Sequence, residues 1–375
     1  MVKVLVVDDS ALMRKALSSM LTAAGDVDGS GPVEVVLARN GEDALEAIPR
    51  ERPDVVTLDV NMPVMDGLTC LSRIMAEHPV PVVMVSSITE RGALVTLEAL
   101  ELGAVDYVAK PGGTVSLNMA EVADELVRKV VRAARARVRA GGSLTARLRR
   151  QREEAHAAGP RRRDGAPARA GAAAAGGGTR GTGSTGSTDL VVVGSSTGGP
   201  ALLSALFSAL PADFSAPVVV AQHMPASFTG ALAARLDAAC PLPVQEVTAL
   251  VPVLPGRVYV ARGDADLVLA RRGGGLVARP APAGAGYRWH PSVDRLVTSA
   301  LEVVDPRRTV GVLLTGMGDD GAQAMTELHA RGGRTIAESE ESAVVWGMPG
   351  QLVARGGATR VLPADQITAQ LTGWV

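Results

Sequence analysis

Residues 194–200, GSSTGGP, combine glycines with hydroxyl side chains directly after the apolar run LVVV at 190–193. A helical apolar pattern follows, so the stretch is predicted to be a turn between a buried strand and a helix. Such a turn can bind a phosphate group through its backbone N–H groups. It can also present a serine as a nucleophile, because residues 194–198 fit the spacing G-x-S-x-G, with Ser196 at the centre and the N–H of Thr197 as a donor to an oxyanion. The turn alone leaves both possibilities open.

The end of the next predicted strand separates these two possibilities. A dinucleotide site would require an acidic residue there, about 20 residues further on, to bind a ribose. The sequence has Gln222 and His223 instead, which disfavours a nicotinamide cofactor and provides an imidazole at the same edge of the sheet. A single histidine at a strand end is more often structural, but opposite an exposed serine it favours a general base for Ser196.

A second glycine-rich turn, TGMGDDG at 315–321, follows the predicted strand 310–314 and carries two acids. One carboxylate would orient the imidazole and stabilise its charged form, whereas the other would cap the following helix or face solvent. We expect Asp320 to contact His223 and Asp319 to face outward, although spacing alone does not decide between them. The order serine, histidine, aspartate differs from that of the α/β-hydrolases, so a triad here implies a different sheet.

Polar residues also end the predicted strands of the N-terminal part of the chain. Asp8, Asp9, Asp59, Ser86 and Lys110 follow four different apolar runs, and the carboxyl ends of parallel strands share one edge of a sheet. Three carboxylates at one edge would repel each other unless they held a hard cation such as Mg²⁺. A carboxylate beside Mg²⁺ can attack a phosphoryl donor and form an acyl phosphate, whose oxygens the lysine and the serine would contact. Taken singly, each residue also fits a helix cap or a loop.

The elements that must position these residues are short valine-rich strands that alternate with helical patterns. Such strands indicate a parallel sheet covered on both faces, which predicts a doubly wound α/β domain. The pattern occurs twice, in residues 1–125 and 189–375, and so predicts two such domains. Predicted strands lie at 4–7, 33–37, 55–58, 82–85 and 105–108, and then at 190–193, 218–221, 258–261, 267–269 and 310–314. The glycine- and proline-rich region 251–291 predicts short strands and turns.

Residues 126–188 separate the two domains and differ in composition. They begin with a helical pattern and continue as a segment rich in Arg, Ala, Gly, Ser and Thr, which cannot bury enough apolar surface to offset its ordering entropy. We therefore expect a helix followed by a long flexible linker. The arginines within 147–152 and 161–163 would favour non-specific contacts with nucleic acid. No helix-turn-helix pattern follows them, which argues against specific binding of nucleic acid.

The overall composition of the 375-residue chain excludes several other classes of protein. With 38 basic and 39 acidic side chains the net charge is −1, so no long-range attraction to nucleic acid or to an anionic membrane is expected. Cys70 and Cys240 fall in different domains and lack metal-ligand spacing, which predicts two free thiols in a reducing compartment. No apolar run approaches the roughly 20 residues that span a bilayer, and the N-terminal run is too short for a signal peptide. The sequence predicts a cytoplasmic protein without membrane insertion.

Four motifs of the first domain, VVDDS, TLDVNMPVMDG, VMVSS and YVAKPG, resemble in their order the motifs of response-regulator receiver domains, which have a flavodoxin-like fold. The resemblance implies phosphorylation by a histidine kinase at a Mg²⁺-dependent site that gates the activity of the second domain. It assigns these roles: Asp59 as the phospho-acceptor, Asp8 and Asp9 as metal-site residues together with Asp59, Ser86 as the switch hydroxyl, Tyr107 as the rotating aromatic residue and Lys110 as the lysine that senses the phosphoryl group.

Six stretches of the second domain, GSSTGGP, AQHMPASFTGALAARL, VLPGRVYVARGD, HPSVD, LLTGMGDDGA and VVWGMP, resemble in order the Rossmann-like catalytic domain of the chemotaxis protein-glutamate methylesterases. The resemblance implies hydrolysis of glutamate methyl esters, and deamidation of glutamines, on methyl-accepting chemotaxis receptors, without a metal or cofactor in this domain. It assigns Ser196 as the nucleophile, His223 as the base, Asp320 as the orienting acid, and Thr197 and Met317 as residues that line the site. Asp319 departs from the family, which commonly has Asn there, and the extra charge would perturb the proton balance of the triad.

The resemblance also implies how the two domains interact in a monomer. In the family, the unphosphorylated receiver packs over the catalytic cleft, and phosphorylation of Asp59 loosens that packing. A long flexible linker lowers the effective concentration of one domain at the other, so we expect weaker inhibition here than a short helical linker would give. His290 would either contact the receptor or have a capping or packing role before Pro291. A chain with a decayed active site would instead be an interaction module, and replacing Ser196 would then change nothing.

Overall fold

The structure is a computed structural model of the chain. It describes residues 1–24, 29, 31–86, 90–110, 119–136 and 188–375. The greater part of the predicted flexible linker, at 137–187, lies outside the described residues together with its arginine cluster. No helix in the described part of the chain has both the length and the apolar character needed to cross a membrane.

The N-terminal domain contains a five-stranded parallel sheet with the strand order β2-β1-β3-β4-β5. Its strands are β1 (Val2–Val7), β2 (Val33–Ala38), β3 (Val55–Asp59), β4 (Val82–Ser86) and β5 (Asp106–Ala109). Its helices are α1 (Ala11–Ala23), α2 (Gly41–Glu51), α3 (Gly67–Glu77), α4 (Glu90–Leu102) and α5 (Met119–Ala133). Each predicted strand is present, and the doubly wound architecture is confirmed.

The last helix of this domain, α5, extends beyond the domain boundary that was predicted at residue 125. Leu126, Val130 and Val131 on α5 belong to the same buried apolar cluster as Val4 and Val6 on β1. The helical pattern at the start of the predicted connecting segment is therefore part of the N-terminal core, because its apolar residues recur at helical spacing and cover one face of the sheet.

The C-terminal domain contains a seven-stranded parallel sheet, with the order β15-β14-β13-β6-β7-β10-β8, and a three-stranded antiparallel sheet, with the order β11-β12-β9. Its strands are β6 (Leu190–Ser195), β7 (Val218–Gln222), β8 (Val244–Val247), β9 (Val251–Pro252), β10 (Val258–Ala261), β11 (Asp266–Arg272), β12 (Gly275–Ala281), β13 (Thr309–Leu313), β14 (Arg334–Glu338) and β15 (Arg360–Leu362). Its helices are α6 (Gly199–Ser208), α7 (Ala226–Ala239), α8 (Val293–Val303), α9 (Ala322–Ala330), α10 (Met348–Ala354) and α11 (Ala364–Thr372), with a 3-10 turn at Pro306–Arg308.

The order of the strands brings three loops together at the middle of the larger sheet. β6 lies between β13 and β7, and the registers pair Gly194 with Leu313 and Ser195 with Gln222. After β6 the chain first adds β7, β8 and β10 on one side of it and later adds β13, β14 and β15 on the other side. The loops that follow β6, β7 and β13 therefore lie at the point where the strand order reverses. Ligands of open α/β sheets bind at such a point.

The two domains pack together through α4, which lies against α6 and α7. Glu101 on α4 forms a bidentate ion pair with Arg235 on α7. Tyr107 on β5 packs against Phe228 on α7, with the ring centroids 4.5 Å apart. One buried apolar cluster therefore extends from the N-terminal domain into the C-terminal domain.

Candidate functional site

Ser196 lies in the sharp turn between β6 and α6. Gly198 in this turn has a φ of 78°, a left-handed conformation that favours glycine. A Cβ atom on Gly199 would lie 2.2 Å from Oε1 of Gln222, so the turn has room only for glycine there. Ser195 Oγ donates to the same Oε1 at 2.6 Å, and Gln222 Nε2 donates to the carbonyl oxygen of Ser196 at 3.0 Å. Gln222, which the sequence did not mark as a site residue, therefore fixes the turn that presents Ser196.

His223 follows β7 directly and lies beside this turn, since its backbone N–H donates to the carbonyl oxygen of Ser195 at 3.0 Å. Its Nε2 is 2.8 Å from Oδ2 of Asp320. An ionised carboxylate only accepts hydrogen bonds, so Nε2 carries the proton and Nδ1 keeps its lone pair. Nδ1 is buried and has no hydrogen-bond partner among the described residues. Ser196 is 8% exposed and lines the same cavity as His223.

Asp320 is held at the N-terminus of α8. Its Oδ1 accepts hydrogen bonds from Ser292 Oγ at 2.9 Å and from the N–H of Asp294 at 3.0 Å, and its Oδ2 accepts one from the N–H of Val293 at 2.6 Å. Burial opposes the charged form, but the hydrogen bonds from His223 and from the backbone hold the pKa of Asp320 below its ordinary value. The carboxylate therefore stays ionised and fixes the tautomer of the imidazole.

Asp319 points away from the imidazole. Its side chain is 68% exposed and lies 3.5 Å from Arg355. The structure therefore brings Asp320, and not Asp319, to His223. The charge of Asp319 acts on a different group: burial first, and then the negative charges of Asp320 and Asp319, raise the pKa of Asp294 to about 6.

The turn after β13 is tied to the serine turn by Thr315. The N–H of Ser196 donates to the carbonyl oxygen of Thr315 at 3.0 Å, and Thr315 Oγ1 donates to the carbonyl oxygen of Thr197 at 2.9 Å. The N–H of Thr315 donates to Oε2 of Glu338 at 2.7 Å, and burial raises the pKa of Glu338 to about 7. These bonds hold the turn that carries Met317 against the turn that carries Ser196.

A wall of the site comes from Trp289 and His290, in the segment before α8. Of these two residues the sequence pointed only to His290, with a contact to the receptor as one of two alternatives. The indole of Trp289 stacks on the imidazole of His223, with centroids 5.1 Å apart and an interplanar angle of 14°. His290 lies beside it and contacts the fully buried carboxylate of Asp266. The stacked indole of Trp289 limits how the imidazole of His223 can turn.

A cavity of about 270 Å³ connects these groups, and residues from both domains line it. Ser196, Thr197, His223 and Met317 line it from the C-terminal domain, and Asp106 lines it from the N-terminal domain. Thr197 Oγ1 donates to Oδ2 of Asp106 at 2.5 Å. The backbone N–H groups of Thr197 and Met317 have no acceptor in the described part of the chain. The N-terminal domain therefore contacts the turn that would hold a substrate.

A second group of predicted site residues meets at the carboxyl edge of the N-terminal sheet. Asp8, Asp9 and Asp59 each offer an oxygen atom, and these three atoms lie within 4.8 Å of one another. The ammonium group of Lys110 is 2.8 Å from Oδ2 of Asp59 and 3.1 Å from Oδ2 of Asp8. Burial raises the pKa of Asp59, although the ion pair with Lys110 opposes that change. The structure thus brings these four residues together, and Ser86 is buried at the end of the neighbouring strand β4.

Tyr107 lies at the interface between the domains. Its ring packs on Phe228, and the ammonium group of Lys129 lies 4.7 Å from its centroid. Its hydroxyl is buried and has no hydrogen-bond partner among the residues that the structure describes. Burial raises the pKa of Tyr107 well above its ordinary value, so the hydroxyl stays protonated.

Comparisons with known proteins identify both domains. Residues 191–371 match the family model of the CheB methylesterase, and residues 4–120 match that of the response regulator receiver domain. The chain is 52% identical to protein-glutamate methylesterase/protein-glutamine glutaminase 3 of Rhodospirillum rubrum, over 100% of this chain and 96% of that protein. It is also 52% identical to protein-glutamate methylesterase/protein-glutamine glutaminase 2 of Rhodopseudomonas palustris, over 100% of this chain and 98% of that protein.

Among solved structures, the catalytic domain of the Thermotoga maritima CheB methylesterase is 41% identical with a TM-score of 0.49, and the match covers 50% of this chain and 100% of that one. The family rests on the full-length relatives, which share about half of their residues with this chain across both domains. The chain belongs to the family of protein-glutamate methylesterase/protein-glutamine glutaminases, in which a response-regulator receiver domain precedes a CheB methylesterase domain.

Proposed function

We propose that this chain hydrolyses glutamate methyl esters and deamidates glutamines of methyl-accepting chemotaxis receptors, with Ser196, His223 and Asp320 as its catalytic triad. One observation carries the proposal: Asp320 is 2.8 Å from Nε2 of His223, while the buried Nδ1 has no partner among the described residues and Ser196 lines the same cavity as His223. The names of the full-length relatives supply the two activities. The proposal divides the chain into a receiver at 1–125, a segment of helix and linker at 126–188 whose first residues end α5 and pack on the receiver core, and a catalytic domain at 189–375.

The first half of the reaction is acylation of Ser196. Nδ1 of His223 takes the proton of Ser196 Oγ as the oxygen attacks the ester or amide carbonyl. The N–H groups of Thr197 and Met317 donate to the oxyanion that forms, since they have no acceptor of their own in the described part of the chain. The protonated imidazole, held by the ionised Asp320, then gives its proton to the leaving methoxide or amine, and methanol or ammonia leaves.

The second half releases the receptor carboxylate. Water enters the position that the leaving group has vacated, and Nδ1 of His223 takes one of its protons as the water attacks the acyl-serine. The second tetrahedral intermediate uses the same backbone donors. His223 returns the proton to Ser196 Oγ as the acyl bond breaks, so the triad regains its starting state and the receptor carries a free glutamate.

The phosphorylation site would use the acidic residues of the receiver and a histidine kinase as phosphodonor. Asp8, Asp9 and Asp59 fit a hard divalent cation, because each offers a carboxylate oxygen, the three oxygens lie within 4.8 Å of one another, and Asp9 is exposed. Mg²⁺, when bound, neutralises charge on the incoming phosphoryl group. Asp59 is the phospho-acceptor. Because Lys110 already contacts the carboxylate of Asp59, its ammonium group would contact the oxygens of the phosphoryl group.

The contacts between the domains support inhibition by the resting receiver. Asp106 accepts a hydrogen bond from the hydroxyl of Thr197, next to the proposed nucleophile, and Tyr107 packs on Phe228. A receiver in this position occupies one side of the cavity that the substrate side chain would enter. Phosphorylation at Asp59 would favour a receiver conformation that binds this surface less well.

Acetyl phosphate tests the proposed function directly. With Mg²⁺ and acetyl phosphate, we expect methanol release from methylated receptors to rise by about 5- to 100-fold, which is the usual range of coupling between two sites. The Asp59→Asn variant should keep the basal rate and lose the response, because it has no carboxylate to phosphorylate. No methanol release under any condition would refute the esterase proposal, and a full response of Asp59→Asn would refute the assignment of the phospho-acceptor.

The ion pair between Glu101 and Arg235 tests the inhibitory role of the interface. Replacing Arg235 with glutamate places two like charges across the interface, so we expect the rate without phosphodonor to rise by about 3- to 10-fold. Glu101→Arg should behave in the same way, and the double exchange should bring the rate back towards the wild-type value. Methanol release measured at low and high salt checks this, and equal basal rates for all four proteins would contradict an inhibitory contact here.

A further inference from the structure

The catalytic cavity has a second histidine on its wall, and this histidine is also paired with a carboxylate. Nδ1 of His290 is 3.0 Å from Oδ1 of Asp266, which is fully buried. Asp266 also accepts the N–H of Ser292 at 2.9 Å and the N–H of Gly284 at 3.2 Å, and it forms an ion pair with Arg295. Although burial opposes the charge, these hydrogen bonds hold the pKa of Asp266 below its ordinary value.

This pairing leaves Nε2 as the nitrogen of His290 that can contact a ligand in the cavity. An ionised carboxylate only accepts, so Nδ1 carries the proton in the neutral ring and Nε2 keeps a lone pair. Nε2 has no hydrogen-bond partner among the described residues, the side chain is 23% exposed, and the residue lines the cavity with Ser196 and His223. The neighbouring indole of Trp289 stacks on His223. The wall beside the base therefore carries a fixed acceptor.

The two substrates of the proposed reaction differ in what they can offer to that acceptor. A glutamine side chain has two N–H groups on the leaving nitrogen, whereas a methyl ester has none. Accepting one N–H would orient the amide, so that the carbonyl carbon faces Ser196 while the nitrogen stays within reach of His223. The ester gains nothing from the same acceptor.

We propose that His290 is a specificity-determining residue that favours the glutamine substrate, by accepting an N–H of the leaving amide at Nε2. The proposal rests on the proposed function of Ser196 and His223. In this proposal His290 contributes to the glutaminase reaction and not to the esterase reaction. The two reactions otherwise share the nucleophile, the base and the oxyanion donors. Asp266 acts through His290 as a positioning residue.

Two variants distinguish this role from a purely structural one. His290→Asn retains a side-chain donor that can reach Asp266, and it removes Nε2, the proposed acceptor for the substrate. His290→Gln places a carbonyl acceptor close to the position of Nε2. If His290 only holds Asp266 in place, the asparagine variant should keep at least as much ammonia release as the glutamine variant. If His290 accepts a hydrogen bond from the substrate, only the glutamine variant should keep it.

The experiment uses the full chain activated with acetyl phosphate, and receptors that carry either methyl-glutamate or glutamine at the same position. For His290→Asn we expect kcat/KM for ammonia release to fall about tenfold or more while that for methanol release changes less than about threefold, and we expect His290→Gln to recover most of the ammonia release. A parallel fall in both activities, an unchanged ratio, or a failure of glutamine to restore ammonia release would overturn the proposal. Ser196→Ala is the separate control: if it keeps both activities, the proposed function fails and not the role of His290.

Discussion

Replacing Ser196 with alanine is expected to lower kcat for methanol and ammonia release together, by about 10⁴-fold or more. The loss should be this large because, in the proposed function, the hydroxyl forms the acyl intermediate of both reactions, and the neighbouring hydroxyls of Ser195 and Thr197 donate to Gln222 and Asp106 instead. The backbone donors and the binding of the receptor would remain, so KM should change little. Methanol release from methylated receptors and ammonia release from receptors with glutamine measure the two rates.

Ser195 provides the matched control, since it is the preceding residue and has the same side chain. It is fully buried, and its hydroxyl donates to Gln222 rather than facing the cavity. Ser195→Ala should therefore keep the activity within about tenfold, with the loss coming from a less well-held turn. An inactive Ser195→Ala variant beside an active Ser196→Ala variant would reverse the assignment of the nucleophile.

Replacing Asp320 with asparagine is expected to lower kcat by about 10³- to 10⁴-fold. All four neighbours of this carboxylate donate to it: His223 Nε2, Ser292 Oγ and the N–H groups of Val293 and Asp294. In Asp320→Asn, an –NH₂ group replaces one of the two carboxylate oxygens. Since the partners of both oxygens are donors, this –NH₂ group faces another donor in either orientation. If it faces His223, it donates to Nε2, the proton moves to Nδ1, and the imidazole can no longer accept the proton of Ser196.

The adjacent acid gives the control for this variant. Asp319→Asn changes a side chain that is 68% exposed and lies beside Arg355, so activity should change less than about twofold. Thermal unfolding of both variants would show whether the loss in Asp320→Asn follows the stability of α8 instead of the chemistry. Comparable losses of activity in the two variants would mean that the carboxylate next to His223 is not the one that orients it.

The sequence was sufficient to predict the residues that end strands. Ser196 and His223 follow valine-rich strands whose buried character is visible in the sequence, and parallel strands bring their carboxyl ends to one edge. The same argument held for Asp8, Asp59 and Lys110. The strands β8, β14 and β15 were not predicted, because they are short and carry charged or polar residues, such as VQEV in β8.

The choice between Asp319 and Asp320 needed the structure. Both acids follow the same strand, and the sequence has no feature that orients either side chain. What orients Asp320 is the N-terminus of α8, a helix that begins at Val293 and reaches the site through tertiary packing. A motif such as HPSVD signals a helix start through Ser292, but not the carboxylate that this start will bind.

Trp289 and Asp266 were not predicted as parts of the site, and the sequence did not decide between a contact with the receptor and a capping or packing role for His290, for a related reason. They lie in a region rich in glycine and proline, where no apolar periodicity predicts which way each side chain points. Asp266 and His290 are 24 residues apart in sequence, and only the path of the antiparallel sheet brings them together. The bond between Asp106 and Thr197 was beyond prediction from sequence as well, because it depends on how two separate domains dock.

That bond has a consequence for how the enzyme responds to its surroundings. In the proposed function, Thr197 donates to Asp106 of the receiver through its side chain and to the oxyanion through its backbone, so a docked receiver and a bound substrate would compete for one small surface. Such competition would make the receiver a competitive inhibitor carried on the same chain. A dense array of receptors would then displace it by mass action alone, and crowding of substrate would raise the turnover of unphosphorylated enzyme without any signal from a kinase.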